Sequence, residues 1–280
     1  MTDNAATDRY GLVGYPVHHS RSPLIHQLFA RQTSQRLTYE LIEAQPADFE
    51  TAVRGFGAAG GKGLNVTVPH KEAAYRLAAE LGEEAAAAGA VNTLSFRADG
   101  LRGDNTDGVG FLRDLTVNHG CAVADRRVLI LGAGGAVRGI LPPLLSSGLA
   151  ELVVANRTLE RAEQLRDRFA KLGEIVVCRF GDLEQSEAFD LVVNATSAGL
   201  HGETPPFPSA IVGPESFCYD LAYSRNDTPF VAWARAQGAG RAEQGLGMLV
   251  EQAAESFRIW RGVRPETRAI LAQLVGGGRR

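Results

Sequence analysis

Apolar residues recur along the chain in two alternating rhythms. YGLVG (10–14), LTYELIEA (37–44) and GLNVTVP (63–69) have the length and β-branched content of strands. SPLIHQLFARQ (22–32), ADFETAVRGFGAAG (47–60) and HKEAAYRLAAEL (70–81) repeat their apolar positions at the helical period instead. Ser22 is the expected N-cap of the first of these helices, with Pro23 at the first helical position. EEAAAAGA (83–90) predicts a short helical piece, and VNTLSFRADGLRGDN (91–105) a hairpin turning at Ala98-Asp99-Gly100. Strands alternating with helices predict a mostly parallel α/β sheet. No internal repeat stands out, and GGGRR (276–280) reads as a frayed tail.

A second unit starts near Thr106. GVGFLRDLTV (108–117) predicts a helix, and RRVLILGAGGAVRGILPPLLSSG (126–148) a strand, a glycine turn and a helix. LVVANRT (152–158) is the next strand and LERAEQLRDRFAKLG (159–173) the next helix. EIVVCRF (174–180), DLVVNAT (190–196) and SFCYDLAY (216–223) are further strands. This succession is that of a doubly wound dinucleotide fold. The last strong helix, LGMLVEQAAESFRIWRG (246–262), carries Leu246, Leu249, Val250, Ala253, Phe257 and Trp260 at helical spacing, and is expected to return to the first unit. The expected fold class is therefore α/β with two domains and a cleft between them: an N-terminal, mostly parallel domain (1–106 plus 246–280) and a Rossmann-like dinucleotide domain (107–245).

Composition narrows the function. The 280 residues suffice for about two domains. A net charge of −3 gives no reason to expect a nucleic-acid or acidic-lipid partner. Cys121, Cys178 and Cys218 are far apart, and an odd count without CxxC argues against a disulfide framework. No N-terminal apolar stretch marks a signal peptide, and no run nears the ~18 apolar residues of a membrane span. A cytoplasmic protein with reduced thiols is the expectation. The six histidines show no HxxxH spacing, so no metal is expected.

The candidate chemistry lies at strand ends. In GLNVTVPHKE, Asn65 and Thr67 share one face of a strand, and Val66 and Val68 the other. Lys71 follows in the first turn of a helix, where a cation opposes the dipole; a solvated lysine is the ordinary reading, and that small cost points to another purpose. HSRSP places Ser20 and Ser22 at a turn entering a helix, a combination that favours a carboxylate. Asn92 opens a strand, and Asp107 stands in GDNTDG where the two halves join, a position an Asx turn would also explain.

In the second unit, Gly132, Gly134 and Gly135 follow an apolar strand and open a helix, so backbone N–H groups can approach a pyrophosphate. The third glycine of GxGxxG is replaced by Val137. Beyond the next strand, where an acid would hold the ribose of NAD, the chain reads NRTLER. Beside Asn156, the guanidinium groups of Arg157 and Arg161, one helical turn apart, suit a 2′-phosphate and favour NADP(H). Thr196, Ser197 and Gly199 are small enough to line a cofactor, and are also ordinary turn formers.

VGYPVHHSRSPLIH, GLNVTVPHK, GAVNTL, GDNTDG, GAGGAVRG, NRT, NATSAG and GLGMLVEQ, in this order and spacing, resemble the shikimate dehydrogenases over about Leu12 to Gly262. The resemblance implies NADPH-dependent reduction of 3-dehydroshikimate to shikimate on the route to chorismate and the aromatic amino acids. It implies that Ser20 and Ser22 hold the substrate carboxylate, with Tyr223 near it, and that Lys71, Asn92 and Asp107 surround the ring hydroxyls, helped by Asn65, Thr67 and Gln252. Lys71 and Asp107 match the catalytic pair. Gly245 and Met248 match positions near the nicotinamide, and Ala133, Ala136, Thr158 and Leu221 join the residues expected to contact the cofactor. Arg21 between the two serines and Ser224-Arg225 after the tyrosine depart from the family pattern. A quinate/shikimate dehydrogenase using NAD is the nearest alternative, opposed by Arg157 and Arg161; a silent NADP-binding module is another, opposed by Lys71 with Asp107. The expected partner is the small-molecule substrate alone, bound by a monomer or homodimer.

The grouping in GLNVTVPHKE then has a chemical reason. A polyhydroxylated ring acid needs convergent partners, since each buried polar group left unpaired costs ~1–3 kcal/mol. A fixed ammonium at Lys71 would stabilise negative charge growing on the reacting oxygen.

Overall fold

In this computed structural model, which describes residues 7–196 and 207–276, the chain divides into two compact units. One comprises Met1–Gly110 with Leu249–Arg280, the other Phe111–Met248. Ser197, Gly199 and residues 277–280 of the tail lie outside the described residues. The division falls a few residues beyond Thr106 and beyond Gly245, because the hydrogen bonds of Asp107 and Gln252 described below are made within the first unit.

The first unit runs β1 (Asp8–Gly14), α1 (Ser22–Gln32), β2 (Leu37–Glu43), a 3-10 turn (Pro46–Asp48) into α2 (Phe49–Ala58), β3 (Gly61–Val66), α3 (Lys71–Leu77), β4 (Glu80–Leu81), α4 (Glu83–Ala88), β5 (Thr93–Arg97) and β6 (Gly100–Asp104). The sheet order is β2-β1-β3-β5-β6-β4. β1 is parallel to β2 and β3, while β5 is antiparallel to β3 and β6. Val13, Leu64, Val66 and Leu94 of the sheet bury against Phe49, Val53 and Phe56 of α2. Ile25 and Phe29 of α1 are also fully buried.

Three local expectations change. Ser22 is the first helical residue of α1 and not its cap; Arg21 holds the cap position, and the Ser20 hydroxyl accepts the Ser22 N–H at 3.2 Å. β3 stops at Val66, so Val66 is 2% exposed while Val68 is 60% exposed, beyond the end of the ladder. The helix from 70 ends at Leu77, because the Ala79 N–H is captured by the Leu101 carbonyl and Glu80–Leu81 pair with β6. Tertiary hydrogen bonds there override the helix propensity of an Ala-rich run.

α5 (Asp107–Arg113) leads into a π-helical turn (Asp114–Asn118). The second unit continues with β7 (Arg127–Leu131), α6 (Gly135–Leu145), β8 (Glu151–Ala155), α7 (Leu159–Phe169), β9 (Val176–Cys178), β10 (Leu191–Asn194), β11 (Phe217–Asp220), α8 (Pro229–Ala236) and β12 (Arg241–Gln244). All six strands are parallel, in the order β9-β8-β7-β10-β11-β12. This is the doubly wound order, with its switch point between β7 and β10. α8 and β12 went unread in the sequence: the helix is short, with Thr228 as its cap, and RAEQ is a polar edge strand. α9 (Leu246–Arg261) leads back into the first unit, where α10 (Arg268–Gly276) follows. Among the described residues, no helix is long and apolar enough to cross a membrane.

Candidate active site

β3, α3 and the segment after β6 gather the polar residues of the first unit. The Lys71 ammonium donates to Asp107 Oδ2 at 2.6 Å, with side chains only 11% and 6% exposed. Local folding explains how residues so far apart in sequence meet. The Lys71 carbonyl accepts the Val91 N–H at 2.9 Å, which fixes the start of α3 beside the strand entering β5. The Asp107 N–H donates to Asn105 Oδ1, and Asn105 Nδ2 donates to the Ala90 carbonyl. Asp107 also opens α5, where its charge suits the helix dipole.

Asn92 ties the cluster together. Its Nδ2 donates to Asp107 Oδ1 at 2.8 Å, to Thr106 Oγ1 at 2.9 Å and to Gln252 Oε1 at 3.3 Å. Its Oδ1 accepts the Thr106 N–H and the Thr93 hydroxyl. Gln252 on α9 is held by its own Nε2 donating to the Leu249 carbonyl. Asn65 is buried beside them: Nδ2 donates to the Asn92 carbonyl, Thr93 Oγ1 and Ser256 Oγ, and Oδ1 accepts the Tyr39 hydroxyl at 2.8 Å. Thr67 is half-buried, its hydroxyl without a partner among the described residues. Ser20 donates to Ser22 Oγ at 3.1 Å at the start of α1. Arg21, half-buried, reaches the Leu274 carbonyl of α10 at 3.5 Å. The structure thus joins Lys71, Asp107, Asn92, Asn65 and Gln252 in one network and pairs Ser20 with Ser22. Tyr39, Thr93, Thr106 and Ser256 belong to these networks unforeseen. Their only sequence signal is alternation on strands and the i, i+4 spacing of Gln252 and Ser256 on α9.

In the second unit the glycine turn sits at the switch point. Gly132 has φ +111°, and a Cβ there would meet the Ala195 carbonyl at 3.0 Å, so the turn after β7 packs closely on the end of β10. Added Cβ atoms at Gly134 and Gly135 meet nothing within 4 Å, so space opens before the N-terminus of α6, flanked by Ala133 and Ala136. Val137, in place of the third glycine, is fully buried in the core. Such a turn fits a pyrophosphate. Asn156 donates to the Thr158 carbonyl at 2.7 Å, bracing the turn into α7. Arg157 and Arg161 are exposed there, and neither pairs with an acid among the described residues.

Thr196 is placed by a buried relay that sequence reading missed. Its N–H and hydroxyl both reach Asn194 Oδ1, whose amide donates to Asp220 Oδ1 at 3.0 Å, while Thr228 donates to Asp220 Oδ2 at 2.6 Å. Burial raises the Asp220 pKa, opposed by these hydrogen bonds. Leu221 and Tyr223 follow β11, both half-buried, and Ser224 is tied to Gln244 through its N–H. A Cβ at Gly245 would strike the Leu221 carbonyl, and Met248 is buried in the core. Tyr223, Gly245 and Met248 thus belong to the second unit. Among the described residues no group of three His, Cys, Asp or Glu side chains gathers to hold a metal ion.

An all-parallel sheet in doubly wound order, with a glycine turn open at its switch point, in a chain that also holds a buried Lys–Asp pair, defines a dinucleotide-dependent oxidoreductase. Comparison with known proteins gives the particular group. Residues 12–94 match the shikimate dehydrogenase substrate binding domain, 115–204 the shikimate / quinate 5-dehydrogenase model, and 245–275 the shikimate 5'-dehydrogenase C-terminal domain. The chain is 56% identical over 268 residues to the shikimate dehydrogenase (NADP(+)) of Alkalilimnicola ehrlichii, covering 96% of this chain and 98% of that one. Among solved structures, an Ael1 enzyme from Pseudomonas putida has TM-score 0.88 and 48% identity, covering 96% of this chain and 98% of its own. Shikimate 5-dehydrogenase from Thermus thermophilus, in complex with NADP(H) and shikimate, has TM-score 0.85 and 32% identity, covering 97% and 100%. The chain belongs to the shikimate dehydrogenase family.

Proposed function

We infer that this protein reduces 3-dehydroshikimate to shikimate with NADPH, in the route to chorismate and the aromatic amino acids. The observation that carries the reading is the Lys71–Asp107 pair, nearly buried at 2.6 Å and cross-linked through Asn92 to Gln252. Reduction of a ring carbonyl adds a hydride to carbon and a proton to oxygen. NADPH, when bound, supplies the hydride. Lys71 offers the ammonium that stabilises charge on the oxygen and delivers the proton; Asp107, itself held by the Asn92 amide, keeps that ammonium in place. Ser20 and Ser22 take the carboxylate with Tyr223 near it, and Asn65, Thr67, Asn92 and Gln252 take the ring hydroxyls.

The unit Phe111–Met248 is the cofactor domain, and the remainder the substrate domain. Gly132, Ala133, Gly134, Gly135 and Ala136 cradle the pyrophosphate. Asn156, Arg157, Thr158 and Arg161 hold the adenosine ribose and its 2′-phosphate, Thr196 and Leu221 line the path, and Gly245 and Met248 adjoin the nicotinamide. Ser197 is proposed with them from sequence alone. The free thiols of Cys121, Cys178 and Cys218 suit a cytoplasmic enzyme.

The test is oxidation of NADPH, followed by absorbance, with 3-dehydroshikimate, repeated with NADH and with quinate as substrate of the reverse reaction. Turnover of 3-dehydroshikimate with a strong preference for NADPH is expected. No turnover would overturn the reading, and equal use of NADH would overturn the roles given to Arg157 and Arg161.

A further inference from the structure

Tyr39, on β2, has no place in the scheme above, yet it stands at the middle of its hydrogen bonds. Its hydroxyl donates to Asn65 Oδ1 at 2.8 Å. The direction of that bond is fixed by chemistry. Asn65 Nδ2 lies 3.2 Å from the Asn92 backbone carbonyl, which only accepts, so the NH2 group must face it and Oδ1 must face the phenol. The same NH2 group is also 2.9 Å from Ser256 Oγ and 3.2 Å from Thr93 Oγ1, so both its protons are engaged within the protein. Asn65 can therefore meet a substrate hydroxyl only as an acceptor, through the remaining lone pair of Oδ1.

Ser22, buried at the start of α1, also acts on the phenol, opposing in part the effect of the phenol's burial. Ser22 Oγ in turn accepts from Ser20. Beneath the Tyr39 ring lies His26, stacked at 4.2 Å and 11°, fully buried, with neither ring nitrogen hydrogen-bonded among the described residues. Phe29, Phe257 and Trp260 surround that imidazole. Burial holds His26 far below its ordinary pKa, at about 3, with the neighbouring Asn65 opposing this in part; it packs as a neutral ring. Burial likewise raises Tyr39, so the phenol keeps its proton.

We propose that Tyr39 is a positioning residue that couples the two ends of the substrate site, interacting with Ser22 of the serine pair and orienting Asn65, and through it the Asn92–Asp107–Lys71 cluster, with His26 as its floor. The proposal rests on the reading of this site as a shikimate site. It makes Asn65 an acceptor-only contact, selective for a ring hydroxyl over a keto oxygen at that position.

Tyr39→Phe removes the hydroxyl and keeps the stack on His26. The loss of one orienting hydrogen bond predicts a roughly three- to tenfold rise in the KM for shikimate. kcat should change far less, and the KM for NADPH should not move. Tyr39→Phe and Asn65→Ala should also be non-additive, the double variant losing little more than Asn65→Ala alone. An unchanged KM for shikimate, or losses that multiply, would overturn the proposal while leaving the proposed function intact. A wild-type protein that neither binds shikimate nor turns it over would overturn both. Should Tyr39→Phe not fold, Ser22→Ala and Asn65→Ala supply the test, since Tyr39 donates to Asn65 and Ser22 acts on the same phenol. In thermal melts without substrate the double variant should be destabilised by less than the sum of the singles, and strict additivity would overturn the coupling.

Discussion

Asp107 and Asp114 stand two helical turns apart, on α5 and on the π-helical turn that continues it, both nearly or wholly buried. Their surroundings differ in kind. Asp107 meets a cation, Lys71, and an amide, Asn92. Asp114 meets the Tyr219 hydroxyl at 2.5 Å and the Asn118 amide at 2.8 Å, with His119 at 3.5 Å. Burial raises the Asp114 pKa, but the hydrogen bonds from His119, Tyr219 and Asn118 outweigh it and hold the carboxyl below its ordinary range. A Cβ on Gly247, at the start of α9, would lie 1.9 Å from Asp114 Oδ1, so glycine is required there simply to admit the carboxylate. One carboxylate thus keeps a charged partner that remains partly exposed; the other is sealed by donors and backbone. The first arrangement suits chemistry, the second suits structure.

Substitutions can break that contrast. The largest effect is expected at Lys71. Positioned acid–base groups contribute ~10²–10⁴-fold to rate, so Lys71→Ala should lower kcat by about that factor with a smaller change in substrate KM. Because the pair acts as a unit, Lys71→Ala/Asp107→Ala should be little slower than the worse single variant. Steady-state kinetics decide it: an intact kcat would leave Lys71 only a binding role.

Asp114→Ala should show the opposite profile. It strands the buried Tyr219 hydroxyl, at roughly 1–3 kcal/mol for a buried donor left unsatisfied, and removes one partner of the half-buried Asn118 amide. Denaturant unfolding should report that loss, while kcat below the melting range stays near wild type. A catalytic defect of the Lys71 size without a loss of stability would erase the distinction between the two carboxylates.

Arg157 offers a charge in a third setting, exposed and paired with no acid among the described residues. Charge-assisted hydrogen bonds contribute ~1.5–3 kcal/mol, so Arg157→Ala should raise the KM for NADPH about tenfold or more. NADH use should hardly change, and equal losses with both cofactors would remove the 2′-phosphate contact.

His26 is buried, with neither ring nitrogen hydrogen-bonded among the described residues, and its effect depends on pH. Its pKa falls from 6.5 to about 3 on folding. The unfolded chain therefore binds a proton that the native state refuses, and stability, complete above the unfolded value, is lost as pH falls below it. At pH 5 the loss is about 2 kcal/mol. Asp114, with a lowered pKa, contributes above the ordinary carboxylate range and is lost only in stronger acid. Unfolding of His26→Phe, which keeps an aromatic ring beneath Tyr39, should show a flatter dependence between pH 7 and 5; an unchanged slope would place the proton elsewhere.

Much of the second unit was legible because its signals are local. An apolar strand, a glycine turn and an amphipathic helix follow one another within a few residues, and NRTLER carries its two arginines one turn apart. Errors arose where a partner distant in the chain decided the outcome. Residues 80–81 left a helical pattern to pair with β6, and RAEQ became a strand because β11 offers it an edge. For Asn65 the sequence offered only a partner for a ring hydroxyl; that its amide protons are engaged by Asn92, Thr93 and Ser256, leaving it an acceptor, depends on contacts distant in the chain.

What the sequence by itself determined is what short-range chemistry determines: the alternation of strands and helices, the glycine turn, the placement of Lys71, Asn92 and Asp107 at element boundaries, and, through the order of its motifs, the family. Only the tertiary structure decided which polar groups meet. Hydrogen bonds act within about 3 Å, so the pairing of Lys71 with Asp107, the seat of Tyr39 on His26 and the sealing of Asp114 by Tyr219 exist only once distant segments of chain are packed together.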